Sequence, residues 1–215
     1  GAPRVPFPDE GAAKKAIDDN YSKYPPVPGY NDLRDAISKK FREENGINYS
    51  RDQIIVSAGG KHSLINVIMS IINPGDEVII LAPYWVSYPE MVTLADGKSV
   101  IVSAGIEQDF KITPAQLEAA ITPKTKALIL CSPSNPTGSV YSRDELKGLA
   151  DVLAKYPQIY ILSDEIYEHI NYLGHHESIA QFDNLRDRVV IINGVSKAYA
   201  MTGWRIGWIA APKWI

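Results

Sequence analysis

Short apolar runs and amphipathic stretches take turns along most of this chain. Residues 9–20 read as a helix, with Ala12, Ala13, Ala16 and Ile17 on one side. Residues 24–30, Tyr-Pro-Pro-Val-Pro-Gly-Tyr, cannot continue it, because three prolines in four positions remove amide donors and clash with the preceding turn. Asn31 or Asp32 can cap a second helix running to about Asn45, with Gly46 as its stop. Beyond it the spacing predicts strands at 53–57, 77–81, 99–103, 127–131, 159–162 and 189–192. Helices are predicted between them at 61–72, 85–94 and 114–120, and another opens on a Ser142–Glu145 capping box and runs to about Lys155. A further strand-like run lies just before the closing stretch that begins at Trp208. Strands that are apolar on both faces belong to a parallel sheet covered on both sides. The expected fold is therefore α/β, a mostly parallel open sheet sandwiched by helices, in one domain without internal repeats or linkers.

Composition narrows the class. With 22 Lys+Arg against 25 Asp+Glu the net charge is −3, which leaves no electrostatic footprint for a nucleic acid. A single cysteine, Cys131, excludes a disulfide-stapled secreted scaffold. No apolar run approaches the roughly 18 residues needed to span a bilayer, and no signal-peptide pattern opens the chain. The expectation is a cytoplasmic protein with neither nucleic-acid nor membrane partners. The sequence begins on Gly1 without a methionine and stops soon after a strand, so it reads as a piece of a longer protein.

In open α/β sheets, ligands bind beyond the carboxyl ends of the strands. What each predicted strand delivers there is therefore informative. The first delivers Ser-Ala-Gly-Gly-Lys at 57–61 into a helix start, and the second delivers Tyr84 and Trp85. The run at 127–131 delivers Ser-Pro-Ser-Asn-Pro-Thr-Gly, which contains Asn135; the next delivers Asp164 and Tyr167; the last delivers Ser196 and Lys197, with Arg205 eight residues on. Singly, each has an ordinary structural reading. Gly59-Gly60 makes a tight strand–helix turn, Trp85 fills a core, and Ser-Asn-Pro-Thr-Gly is a turn. Asp164 caps a helix, and Lys197 and Arg205 are solvated surface charges. Together they bring a glycine-rich helix start, an aromatic ring, an amide, an acid, a phenol, an amine and a guanidinium to one sheet edge.

Three segments carry a family resemblance: Ser-Pro-Ser-Asn-Pro-Thr-Gly, Ser-Asp-Glu-Ile-Tyr, and Val-Ser-Lys-Ala-Tyr-Ala-Met-Thr-Gly-Trp-Arg-Ile-Gly. They resemble the class I aminotransferases of fold type I, which use pyridoxal 5'-phosphate. Lys-Tyr-x-Pro-x-x-Gly and Pro-Tyr-Trp-Val-Ser-Tyr-Pro-Glu bring the likeness closest to the bacterial aspartate aminotransferase subgroup. The resemblance implies that residues 1–215 are the cofactor-binding large domain, with 1–30 as an opening helix and interface loop. The family's small C-terminal domain, which supplies the arginine for the substrate α-carboxylate, would lie outside this chain.

By the same resemblance, Lys197 is the lysine that forms a Schiff base with the cofactor and then moves a proton. Asp164 pairs with the pyridinium nitrogen and keeps the ring an electron sink. Tyr167 and Asn135 donate to the ring oxygen, Asn135 also reaching the substrate carboxylate, and Trp85 stacks on the ring face. Backbone N–H groups of Gly60 and Lys61 with the Arg205 guanidinium hold the phosphate. Tyr24 reaches the phosphate of a neighbouring subunit, which implies a homodimer. Gly1 meets the substrate α-group. Where many members carry a phosphate-binding serine three residues before the lysine, this chain has Gly194, and Ser196 is an open substitute.

The resemblance implies transfer of the amino group of L-aspartate to 2-oxoglutarate, giving oxaloacetate and L-glutamate. Lys61 bears on that choice, since a lysine at this helix start is associated in the subgroup with the distal carboxylate of dicarboxylic substrates; otherwise it only neighbours the phosphate. Aromatic or prephenate aminotransferases, carbon–sulfur lyases and aminocyclopropane-carboxylate synthase share the motifs. A non-catalytic, cofactor-binding regulatory module is the alternative from another class. His175-His176 suggest a metal, but without an acid or cysteine cluster they read as loop. Cys131, at a strand end, reads as structural.

Overall fold

The computed structural model describes residues 10–215, and its order of elements follows the alternation in the sequence. A helix α1 (Glu10–Asp18) is followed by the proline-rich segment and by α2 (Asn31–Glu44). Then come β1 (Ile54–Ser57), α3 (Gly60–Ile71), β2 (Glu77–Ala82), α4 (Ser87–Leu94) and β3 (Lys98–Ser103). The second half holds α5 (Pro114–Ala120), β4 (Thr125–Cys131), α6 (Arg143–Leu153), β5 (Tyr160–Asp164), β6 (Val189–Gly194) and β7 (Gly207–Ala210). The capping box forms as expected: the Ser142 hydroxyl accepts from the Glu145 N–H, and the Glu145 carboxylate accepts from the Ser142 N–H at 2.8 Å. α4 starts two residues later than the pattern suggests, leaving Trp85 in the connection before it.

The seven strands among the described residues join one sheet, in the order β1-β7-β6-β5-β4-β2-β3. Neighbours from β6 to β3 pair in parallel, while β7 runs antiparallel between β1 and β6. The strand-like run near the end is thus β7. It lies mostly within the Trp208 stretch rather than before it, and it is an inner strand.

Alternate side chains of the central strands feed two apolar layers. Leu128, Leu130, Ile161, Val189 and Ile191 pack with Phe41, Leu146, Leu149 and Leu153 on one side. Ala127, Ile129, Leu162, Val190 and Ile192 pack with Leu64, Ile68, Met91 and Val92 on the other. A period of two with both sets buried accounts for the unbroken apolar runs in the sequence. Topology also fixes the edge that matters. β2, β4, β5 and β6 end on the same edge, and antiparallel β7 starts there, pairing Gly207 with both Ser57 and Gly194.

Candidate active site

At that edge a cavity of about 240 Å³ is lined by Gly60, Lys61, Trp85, Tyr88, Asn135, Asp164, Ile166, Tyr167, Ser196, Lys197, Thr202 and Arg205. Nine of these are residues to which the sequence points: Gly60, Lys61, Trp85, Asn135, Asp164, Tyr167, Ser196, Lys197 and Arg205.

One end of the cavity is the start of α3. Gly59 stands ahead of it at φ +92°, a conformation side-chain-bearing residues avoid, and a Cβ there would come within 2.2 Å of the Arg205 guanidinium. The glycine therefore lets Arg205 lie against the helix start, where its Nη2 donates to the Ala58 carbonyl at 3.1 Å and its Nη1 to the Thr202 carbonyl at 2.7 Å. The first N–H groups of a helix have no intrahelical partner, so this end combines free donors with a fixed cation. Ser196 and Thr202 add hydroxyl-bearing side chains to its lining. Gly194 has no room for a side chain, since a Cβ would meet the Ile206 carbonyl oxygen at 2.7 Å and Gly207 Cα at 2.9 Å.

The other end is the carboxyl terminus of β5. Asp164 is buried, its Oδ1 accepting from the Ile166 N–H at 3.3 Å and its Oδ2 from the Tyr88 hydroxyl at 2.7 Å. No α-helix follows it, so the helix-cap reading gives way to a carboxylate exposed to the cavity. Burial pushes its carboxyl up, and the donated bonds and the Lys197 charge pull it down without fully offsetting the burial. Tyr88 is itself buried and pushed well above the phenol range, chiefly by desolvation, so it is a fixed donor. The resemblance gave this residue no role; its signal was its place three positions after Trp85, at the first turn of α4. Asn135 Nδ2 stands 3.4 Å from the Tyr167 hydroxyl, and Lys197 Nζ lies 5.8 Å from the centre of the Tyr167 ring.

Trp85 is half-buried at the mouth rather than in the core, packed edge-on against Tyr88. Lys61 Nζ lies 5.3 Å from the centre of the Trp85 ring and 3.2 Å from Ser87 Oγ. Tyr24 is fully exposed and contributes nothing to this cavity. Gly1 lies outside the described residues. Cys131 closes β4, and burial pushes its thiol up to about 12, so it is no nucleophile near neutral pH. His175 and His176 lie in a loop, but the missing acid cluster is supplied from elsewhere in the chain: Glu165, Glu168 and His176 bring ligand-type atoms within 4.8 Å of one another.

The family model "Aminotransferase class I and II" matches residues 6–215. This chain belongs to that family. A bifunctional aspartate aminotransferase and glutamate/aspartate-prephenate aminotransferase of Petunia hybrida is 51% identical over 210 residues, covering 97% of this chain and 44% of that protein. An aspartate/prephenate aminotransferase of Cereibacter sphaeroides is 53% identical over 216 residues, covering 99% and 54%. Among solved structures, an aspartate aminotransferase from Rhizobium meliloti superimposes with a TM-score of 0.92 at 45% identity, over 94% of this chain and 51% of that one. This aminotransferase-family chain thus spans about half the length of the relatives it matches. The sheet with helices on both faces is the large-domain fold of those neighbours, and no helix among the described residues is long and apolar enough to cross a membrane.

Proposed function

We propose that this chain is the cofactor-binding large domain of an aspartate-type aminotransferase that uses pyridoxal 5'-phosphate. The observation that carries the reading is the placement of complementary groups in one cavity: amine, phenol and amide between a helix start with a guanidinium and a buried acid. The donor set fits the cofactor. A helix N-terminus with Arg205 suits a phosphate dianion. Asp164, raised by burial and still short of full compensation, suits a cationic ring nitrogen. When bound, the cofactor supplies an aldehyde that takes up an amino group and a ring that accepts an electron pair.

The chain's own residues then divide the work. Lys197 would hold the cofactor through its amine and, with the donor in its place, would move the proton at the donor's Cα. The Asp164 carboxylate, held by Tyr88 and Ile166, keeps a proton on the ring nitrogen. Tyr167 and Asn135 donate to the ring oxygen, Asn135 also to the substrate carboxylate, and Trp85 covers one ring face. Gly60 and Lys61 N–H groups, Arg205, Ser196 and Thr202 hold the phosphate; the packing around Gly194 supports Ser196 as the substitute for the serine of other members. The Lys61 ammonium sits by Trp85 and Ser87, which favours the distal carboxylate of a dicarboxylic substrate.

The substrates proposed are L-aspartate and 2-oxoglutarate, with oxaloacetate and L-glutamate as products. Prephenate as a further acceptor is supported by the names of the Petunia and Cereibacter relatives. The working unit is a homodimer in the cytoplasm, with Tyr24 serving the second copy's phosphate end, and Gly1 meets the substrate α-group. Exposed Ile17, Tyr21, Tyr24 and Val27 near the chain's start support such an interface. A donor–acceptor panel on the full-length protein with added cofactor tests the reading. Aspartate with 2-oxoglutarate or prephenate is expected to give the highest kcat/KM. Elimination of a β-substituent as the main activity, or no turnover with any pair, would overturn it.

A further inference from the structure

Behind the turn that presents Asp164 and Tyr167 lies a second set of polar side chains. Glu165 and Glu168 alternate with those two residues in sequence, line no part of the cavity, and are both buried. Glu165 accepts from Ser163 Oγ at 2.9 Å, Ser178 Oγ at 2.6 Å and His176 Nε2 at 2.9 Å. Glu168 accepts from Asn193 Nδ2 at 2.8 Å and Asn45 Nδ2 at 3.0 Å, and it pairs with the Lys40 ammonium. Because a carboxylate only accepts, Glu168 fixes which end of the Asn193 amide faces it. The other end, Oδ1, accepts from the Gly194 N–H at 2.7 Å.

Three elements therefore meet at one carboxylate: the turn after β5, the end of β6, and α2. Glu168 is 4% exposed and Lys40 14%. An ion pair so enclosed is a poor source of net stability, since desolvating both charges consumes most of the Coulomb gain and an apolar pair of similar volume serves as well. A metal ion is not needed to explain the cluster, because the Lys40 ammonium already neutralises Glu168. What the arrangement does supply is fixed geometry. Tyr167 precedes Glu168 by one residue, and Lys197 follows Asn193 by four, so each chemically active side chain is a short backbone path from the tie.

We infer that Glu168 is a positioning residue: through Asn193 it ties the turn presenting Tyr167 to the end of β6 presenting Lys197, and so sets the spacing of phenol and amine across the cavity. The inference rests on the reading that both groups meet the same cofactor. Glu168 acts from outside the cavity and touches no reacting atom.

The test uses full-length protein loaded with pyridoxal 5'-phosphate and two variants. Glu168→Gln keeps the shape but loses the charge and one acceptor, and Asn193→Ala cuts the tie while leaving Glu168 paired with Lys40. Misplacing a reacting group from a distance can cost up to about a hundredfold, so both variants are expected to lower kcat by roughly ten- to a hundred-fold while KM changes by less than about threefold. The bound cofactor's visible absorption is expected to titrate at higher pH in both, because a displaced phenol stabilises the ring oxygen's negative charge less well. A lower melting temperature with wild-type kcat and an unmoved titration midpoint would mean a purely structural role and overturn the inference. If Glu168→Gln does not fold, Asn193→Ala decides on the same criteria. Borohydride reduction of the wild type separates a failed tie from a failed assignment of the cavity. A label on Lys197 with unmoved variants sinks the tie alone, whereas a wild type with no label sinks the reading of the cavity and the tie with it.

Discussion

At the α3 end of the cavity the binding groups are backbone amides and an arginine open to water, whereas at the β5 end a single carboxylate is enclosed and held by one phenol and one N–H. The first end is redundant. Helix N–H groups, the Arg205 guanidinium and the Ser196 and Thr202 hydroxyls all face the same space, so on the proposed reading no single one of them carries the phosphate. The second end has no spare part. Burial raises Asp164, and only the Tyr88 hydroxyl, the Ile166 N–H and the Lys197 charge pull the other way. Substitutions at the open end should change affinity or substrate choice, and those at the closed end should change turnover.

Asp164→Ala should have the largest effect, because it removes the one charge of the closed end. Removing one preorganised charge from a water-poor site costs at least about a hundredfold in kcat, while the cofactor stays anchored at the other end. Rate measurements with cofactor binding by dialysis check it, and near-normal turnover would return Asp164 to a merely local role in its turn.

Lys61→Ala should have a smaller effect, at the open end. Loss of a charge-assisted contact to the distal carboxylate predicts a fall of roughly ten- to a hundred-fold in kcat/KM for aspartate, and a much smaller one for phenylalanine. At saturating cofactor, an unchanged ratio of the two would place Lys61 with the phosphate instead.

Tyr88→Phe should have the smallest effect near neutral pH, with a definite sign elsewhere. The hydroxyl stabilises ionised Asp164, so its removal drives an already raised carboxyl further up. On the proposed reading turnover needs the carboxylate, so the acid limb of the kcat profile should move to higher pH. An unmoved limb would show that Tyr88 merely packs against Trp85.

How legible all this was in the sequence follows from what each feature depends on. Asp164, Lys197 and Asn135 could be found because each stands where an apolar run stops, and apolar runs are the strongest local signal the chain carries. The Ser142 capping box is local in the same way. β7 was harder: four residues that pair with Ile54–Ser57 and with β6 lie far apart in sequence, and only the assembled sheet shows that β7 is antiparallel and internal. Tyr88 and Asp164 meet across 76 positions, and Glu168 and Asn45 across 123, with no spacing rule to announce either contact. The room denied to a side chain at Gly194 depends on Ile206 and Gly207 crossing over it. The histidine pair read as an isolated loop for the same reason, since its acid partners come from the turn after β5.

The proposed reading puts the Lys197 amine at the cofactor's aldehyde. It is tested most directly by loading the protein with pyridoxal 5'-phosphate, reducing it with borohydride, and mapping the labelled peptide. The expected result is a yellow protein before reduction and a label confined to the peptide containing Lys197, absent from Lys197→Ala. A label on another lysine, or one that persists in Lys197→Ala, would contradict it.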